Sequence, residues 1–416
     1  METAGITALA VFIAVYILIA IHRTPWFGIK RPYAAIIGAA VVILIGSISV
    51  RSAFESIDFK VIFLLLGMML TVAGLEYTGF FTLLSDFLVS RSASGPRLLL
   101  LIMVSSAVLS AIALNDAVVL MFTPIVIRCC VSTRIDPMPY LVGLMVSANI
   151  GSIATAVGNP QNAYITSFAG IDFAEYSLYS LPISVACLVS AYLVLLVFYR
   201  GRLHVFRDDI VHEGEDRPVN TLALRAMLCI LAATFIGFII TGITDIELYQ
   251  VALVSGLLSM VVIVSIRKED AVWAVKRVDW GILVFFIGLF ILVGSLNVTG
   301  VTGEISGALG LGEAPGILPL TVVSMILSNI VSNVPAVMLM TQIMPTANLS
   351  SWIALAASST LAGNTTLLGS AANIIVAERS ESYGVTIGFF RYMAIGLIVT
   401  AVTAAVMLLM VSIMFN

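Results

Sequence analysis

Leu114-Asn115-Asp116-Ala117-Val118-Val119-Leu120 sets an amide beside a carboxyl inside a long and otherwise apolar run. A charged side chain at membrane depth costs about 2.5–3.5 kcal/mol or more, so it marks a functional site. Ser332-Asn333-Val334-Pro335 carries the same device a second time, without the carboxyl. Two copies in one chain point to a transporter built from two related halves.

The composition agrees. Hydrophobic residues make up 60% of the 416 and charged residues 10%, against about 25% charged in soluble domains. Several apolar runs reach the roughly 20 residues that cross a bilayer. The chain is therefore an all-α polytopic membrane protein. The run Ile6 to Ile21 has no basic n-region and no small-residue cleavage site, and reads as a retained helix. Cys129, Cys130, Cys187 and Cys229 have no ligand spacing, and the three histidines (His22, His204, His212) fall in polar loops. No metal cluster beyond a bound Na⁺, no organic cofactor and no nucleic-acid partner is expected. For want of a nucleophile–base set, neither is an enzyme.

An internal repeat organises the chain. A shift of 221 lays Asp58, Gly67, Thr78 and Gly79 on Asp279, Gly288, Thr299 and Gly300. A shift of 218 lays Ser110, Asn115 and Thr123 on Ser328, Asn333 and Thr341, and a shift of 211 lays Thr155, Gly158 and Asn162 on Thr366, Gly369 and Asn373. The halves are 1–200, with a re-entrant hairpin at 98–130 and a broken helix at 139–170, and 221–416, with a hairpin at 315–345 and a broken helix at 350–378. A cytoplasmic linker, 201–220, joins them. The second hairpin limbs, 117–130 and 334–345, have 14 and 12 residues, short for a crossing. Each half then has five transmembrane helices, an odd number, and the two sit inverted. With both termini outside, every Lys and Arg except Arg51 and Lys60 lies on the cytoplasmic side of the plasma membrane. Counting each hairpin as one span would send Arg128, Arg134, Arg200, Arg202 and Arg207 outside. Two short spans per hairpin satisfy the same charge rule, and limb length alone argues against them.

Inverted repeats with discontinuous helices are the pattern of secondary transporters, which bind solute near the midplane. The breaks here are the two hairpin tips, Gly158-Asn159-Pro160-Gln161-Asn162 and Gly369-Ser370-Ala371-Ala372-Asn373. Asn115-Asp116 and Ser332-Asn333 are expected to cap the half-helices they open, as are Asn159 and Ser370. Four half-helix N-termini would then bring partial positive charge to one centre. No Lys or Arg occurs in the tips or breaks, so an anion would be held by dipoles, hydroxyls and a cotransported cation. The expected substrate ligands are Asn115, Thr155, Asn159, Asn162, Ser332, Asn333, Thr365, Thr366, Ser370 and Asn373. The coupling ion, H⁺ or Na⁺, is assigned to Asp116 with Asn115, Gly158, Asn333 and Gly369. Thr123, Asn149, Ser152 and Asn364 complete the polar lining, though Thr123, Asn149 and Asn364 serve equally well as structural groups. Asp58 and Asp279 read as helix caps.

At these residues the chain resembles the ion transporter superfamily, most closely its arsenite-permease and NhaD-type antiporter branch, which is related to divalent anion:Na⁺ symporters. The residues are Asn115-Asp116-Ala117, Thr123-Pro124-Ile125-Val126, the Gly158–Asn162 break and Ser332-Asn333-Val334-Pro335, with Thr78-Gly79-Phe80-Phe81 ahead of the first hairpin. The resemblance implies secondary transport by an elevator-like or rocking motion, often in a homodimer. The expectation is a carrier of a small oxyanion or its neutral acid, coupled to H⁺ or Na⁺, with arsenite or antimonite export favoured. Na⁺-coupled dicarboxylate or citrate symport and Na⁺/H⁺ antiport are the alternatives within the class, and an anion channel the alternative outside it.

Overall fold

The computed structural model describes residues 3–21, 30–91, 94–203, 220–267, 270–309, 316–344 and 346–415. The three histidines, Glu313 and most of the expected linker lie outside them. The described residues form twenty α-helices, ten in each half, and no strand. The first ten are α1 (Thr3–Ile21), α2 (Arg31–Leu44), α3 (Val50–Glu55), α4 (Phe59–Tyr77), α5 (Phe80–Arg91), α6 (Gly95–Ile112), α7 (Asn115–Ser132), α8 (Met138–Ser152), α9 (Pro160–Ala169) and α10 (Phe173–Phe198). The second ten repeat their order: α11 (Thr221–Ile240), α12 (Leu248–Ile266), α13 (Ala271–Arg277), α14 (Trp280–Val298), α15 (Val301–Leu309), α16 (Ile317–Val331), α17 (Asn333–Ile343), α18 (Leu349–Ala362), α19 (Ala371–Glu381) and α20 (Phe389–Phe415).

The halves interlock by exchange. Helix α4 packs on α12 of the other half, and its counterpart α14 packs on α2. Glycine makes both crossings close. A Cβ on Gly67 would lie 2.3 Å from the Ala252 carbonyl carbon, and one on Gly288 would lie 2.6 Å from that of Ala35. Lipid offers helices no hydrophobic drive to associate, so small residues that let backbones touch take its place. Thr71 and Ser255 add a hydroxyl pair at 2.9 Å beside the first crossing. With α1 and α11, these helices form one body.

The second body holds the hairpins, the broken helices, α10 and α20, and the repeat shows in its hydrogen bonds. Ser106 on α6 meets Ser147 on α8 at 2.5 Å, and their counterparts Ser324 and Ser358 meet at 3.0 Å. Each hairpin tip stops partway through the bundle, at a helix break. The Asn115 amide donates to the Gly158 carbonyl at 3.1 Å, and the space beside Gly363 is filled by the Asn333 amide.

One limb departs from expectation. Helix α7 has 18 residues rather than 14, because it begins at Asn115 itself and continues past Cys130. Limb length therefore marks only the second hairpin, where α17 has 11 residues. In the first, both limbs have 18 residues, so limb length does not argue against two spans there. Among the described residues seven helices are long and apolar enough to cross a membrane, and α6 is one of them.

Polar pairs distinguish the two ends of the bundle. At one end Lys60 pairs with Glu247 at 2.6 Å and the Ser167 hydroxyl donates to Asp58 at 2.6 Å. At the other, Arg277 pairs with Glu76 at 2.8 Å, Arg202 with Asp136 at 3.4 Å, and the Tyr77 hydroxyl donates to Asp270. These are called the Lys60 end and the Arg277 end. Asp58 and Asp279 do cap their helices, accepting from Val61 and Ile282 amides at 3.2 and 3.0 Å.

Gly67→Val should force α4 and α12 apart. We expect a lower melting temperature and a broadened size-exclusion profile in detergent, whereas Gly303→Val, which meets open space, should leave both unchanged.

Candidate functional site

Four helices, α7, α9, α17 and α19, begin near the centre of the second body, and their N-termini are not alike. Only α9 has the expected side-chain cap, where the Asn162 amide donates to Asn159 Oδ1 at 2.8 Å. At α7 the cap position falls on Leu114, which has no capping group, and Asn115 is already the first helical residue. Ser332 and Ser370 precede α17 and α19, but neither side chain caps its helix. These corrections share one reason: the polar side chains are engaged elsewhere or turned away. Ser332 holds a backbone φ of +84°, costly for a residue with a Cβ, and such strain persists where surrounding structure enforces it. Three N-termini thus lack side-chain caps, leaving N–H groups for a solute oxygen.

Two of the side chains that do not cap, Asn115 and Ser370, converge on Asn149, a residue 1% exposed in the last turn of α8. Its Oδ1 accepts from Asn115 Nδ2 at 3.2 Å and Ser370 Oγ at 3.0 Å. Its Nδ2 donates to Asn364 Oδ1 at 2.9 Å and Asn373 Oδ1 at 3.1 Å. Every hydrogen-bonding position of the amide is filled. The other half has a matching contact, in which Asn159 Nδ2 donates to Thr360 Oγ1 at 3.2 Å and to Ser152 Oγ at 3.0 Å. Each break is braced alike. Asn162 Nδ2 donates to the Ser152 and Thr155 carbonyls at 2.9 and 3.1 Å, and Asn373 Nδ2 to those of Gly363 and Thr366 at 2.7 and 3.1 Å. The shift of 211 found in the sequence holds for both donor and acceptors.

Beside this network lies a cavity of about 210 Å³ at the boundary between the two bodies. The second body contributes Asn115, Asp116, Gln161, Ser332, Asn333 and Ser370; the first contributes Arg31, Asp279 and Phe286. Five expected residues therefore reach its wall: Asn115, Asp116, Ser332, Asn333 and Ser370. Thr155, Gly158, Asn159, Asn162, Thr365, Thr366, Gly369 and Asn373 do not line it and belong to the breaks and the network behind. The Thr155 hydroxyl donates to the Ala111 carbonyl at 2.6 Å, bracing the first hairpin. Thr123 bonds its own helix at Val119, 2.7 Å away.

Arg31 is the correction of most consequence, because no basic residue was expected near the tips. It begins α2, far from either tip in sequence, and only packing brings it there. No signal along the chain could have found it. Gln161 was equally unforeseen. Among the described residues, Asn333 carries a buried oxygen without a partner at the cavity wall, and Asn162 Oδ1 and the counterpart hydroxyls Ser110 and Ser328 are likewise unpartnered away from it.

The cavity opens toward the Arg277 end. At the Lys60 end, a recess of about 310 Å³ is lined by Lys60, Thr166, Ser167, Asp172 and Glu247 and reaches neither tip. Between recess and tips stands Tyr164, whose hydroxyl accepts from Thr341 Oγ1 at 3.2 Å and Gln342 Nε2 at 3.3 Å. Its ring packs edge-on against Phe290.

A polar centre between two interlocked repeats, open to one end and shut from the other, defines a secondary transporter. The family model described as the citrate transporter family, CitMHS, matches residues 16–352, and the chain belongs to that family, within the ion transporter superfamily its motifs resemble. Among its relatives, a 46 kDa membrane protein of Mycobacterium leprae is 32% identical, with 96% of each chain covered. The silicon efflux transporter LSI3 of Oryza sativa subsp. japonica is 28% identical, with 97% of this chain and 96% of the relative covered. The YdaH transporter of Alcanivorax borkumensis shares the fold, with a TM-score of 0.59 at 14% identity over 99% of this chain and 98% of that one.

Removing the central amide should loosen every element it joins. Asn149→Ala leaves several buried polar groups unpaired, for a loss on the order of 2 kcal/mol. Thermal unfolding in detergent should show it, and Ser350→Ala, at a partly exposed site, should not.

Proposed function

We propose that this chain exports a small oxyacid, as the neutral acid or its weakly charged anion, across the cytoplasmic membrane, coupled to H⁺ or Na⁺. Arsenite, antimonite and related hydroxides are the substrate class. The carrying observation is the charge of the cavity wall, which joins two carboxylates, Asp116 and Asp279, to one guanidinium, Arg31. A wall with excess negative charge disfavours a multiply charged anion at short range. A neutral hydroxide meets no such penalty and can bond to the amides of Asn115, Gln161 and Asn333 and to the uncapped helix ends. The silicon efflux activity named for the rice relative supports export of a small hydroxylated acid.

Asp116 is the coupling carboxylate in this reading. It has no acidic counterpart, since Val334 occupies the matching place. The unpartnered oxygen of Asn333, on the same wall, would supply a further oxygen ligand to a bound Na⁺. The Arg277 end is cytoplasmic, which follows the basic residues gathered there. In that orientation the cavity opens to the inside.

A second reading, Na⁺-coupled citrate or dicarboxylate symport, draws on the family description and on Arg31, a ready partner for a carboxylate.

Flux into proteoliposomes separates the two. Arsenite counterflow driven by an imposed pH or Na⁺ gradient, with little citrate uptake, is the expected result. Citrate uptake driven by Na⁺, with arsenite ignored, would select the symporter. Indifference to both gradients would refute coupling. Asp116→Asn should abolish gradient-driven flux, and full retained activity would remove Asp116 from the mechanism.

A further inference from the structure

We propose that Asp279 determines the charge class of the solute: placed beside Arg31 at the mouth of the cavity, it turns away multiply charged carboxylates. The proposal rests on the oxyacid reading above and names the residue that enforces it.

The two mouths of the protein supply the comparison. At the Lys60 end the acid is Glu247, just before α12, and the base is Lys60 at the start of α4; they are in contact at 2.6 Å. At the Arg277 end the signs are exchanged between counterpart helices, with Arg31 opening α2 and Asp279 capping α14. These two charges stay apart, since among the described residues no carboxylate lies within 4 Å of the Arg31 guanidinium, although Asp116 and Glu378 act on it through space. Both Arg31 and Asp279 face the cavity. The helix starts abut, because a Cβ on Gly281 would lie 3.3 Å from Pro32 Cγ and 3.1 Å from Asp279 Oδ1.

Asp279 also differs from its sequence counterpart. Both oxygens of Asp58 are engaged, one by the Lys60 and Val61 amides and the other by Ser167. Asp279 uses only Oδ1, on the Ile282 amide. Among the described residues its second oxygen has no hydrogen-bond partner, and its side chain stands exposed on the cavity wall. A helix cap needs one acceptor and no charge. The charge of Asp279 is thus surplus to its structural role, and it lies where an arriving anion would approach Arg31. Without it, Arg31 would face the cavity with Asp116 as the one remaining wall carboxylate, and a carboxylate substrate could bind the guanidinium.

The experiment measures the ratio of citrate flux to arsenite flux in proteoliposomes for the full chain and for Asp279→Asn, Asp279→Ser, Arg31→Gln and the double variant Arg31→Gln/Asp279→Asn. Asn and Ser both keep the cap, so the two single variants must agree. Removing one negative charge at this range should raise the citrate-to-arsenite ratio at least about tenfold, and the double variant should lose that gain. An unchanged ratio in both Asp279 variants, with arsenite still carried by the unsubstituted chain, overturns the role of Asp279 alone. A gain that persists in the double variant overturns the part given to Arg31. A citrate preference in the unsubstituted chain would instead overturn the oxyacid reading itself.

Discussion

The saturated amide of Asn149 is the constraint on which the centre of this protein depends. One side chain, carried by the first limb of a broken helix, binds a hairpin tip, the cap position of the opposite break and two asparagines of the other half. In a medium without water, each of those groups would otherwise be an unsatisfied polar atom at considerable cost. The irregular backbone of the breaks is tolerable because this network completes it. Because these bonds cross between halves, the hairpins and broken helices are joined into one body, although they come from separate stretches of chain. Helices α1, α2, α4, α11, α12 and α14 form the other body, held by the backbone contacts at Gly67 and Gly288. The cavity lies between them.

The same network explains the partial positive charge left at the centre. Residues that would ordinarily cap α7 and α19 bond to Asn149 instead, so the N–H groups of those helices remain without side-chain caps. The two roles draw on the same side chains, which is why a tightly braced core also presents an anion-friendly surface. The balance is tipped back by the carboxylates at the wall. The proposed oxyacid substrate, rich in oxygen yet carrying little charge, matches a site with dipolar attraction and two wall carboxylates to one guanidinium.

Much of this was legible along the chain, and the reasons differ by element. The repeat could be read because polar residues recur in order, and Asn162 and Asn373 turn out to make the same two bonds. The tips and breaks could be read because amides and carboxyls are rare at that depth. The caps could not, because Asn115 and Ser370 are chemically fit for capping and only three-dimensional neighbours divert them. The length of α7 was misjudged because its polar first turn looks like a loop when helix is sought by hydropathy alone. Arg31 was invisible because position in a sequence says nothing about which helix start faces which tip.

Ser332 remains as the one tip residue in a left-handed backbone conformation other than glycine. Glycine would relax it at no steric cost, and the protein would gain stability while losing a hydroxyl at the cavity wall. The second tip is therefore a place where selection for robustness and selection for transport pull in opposite directions. A chain evolved toward heat tolerance would be drawn to glycine there, and its substrate range would shift before its fold did.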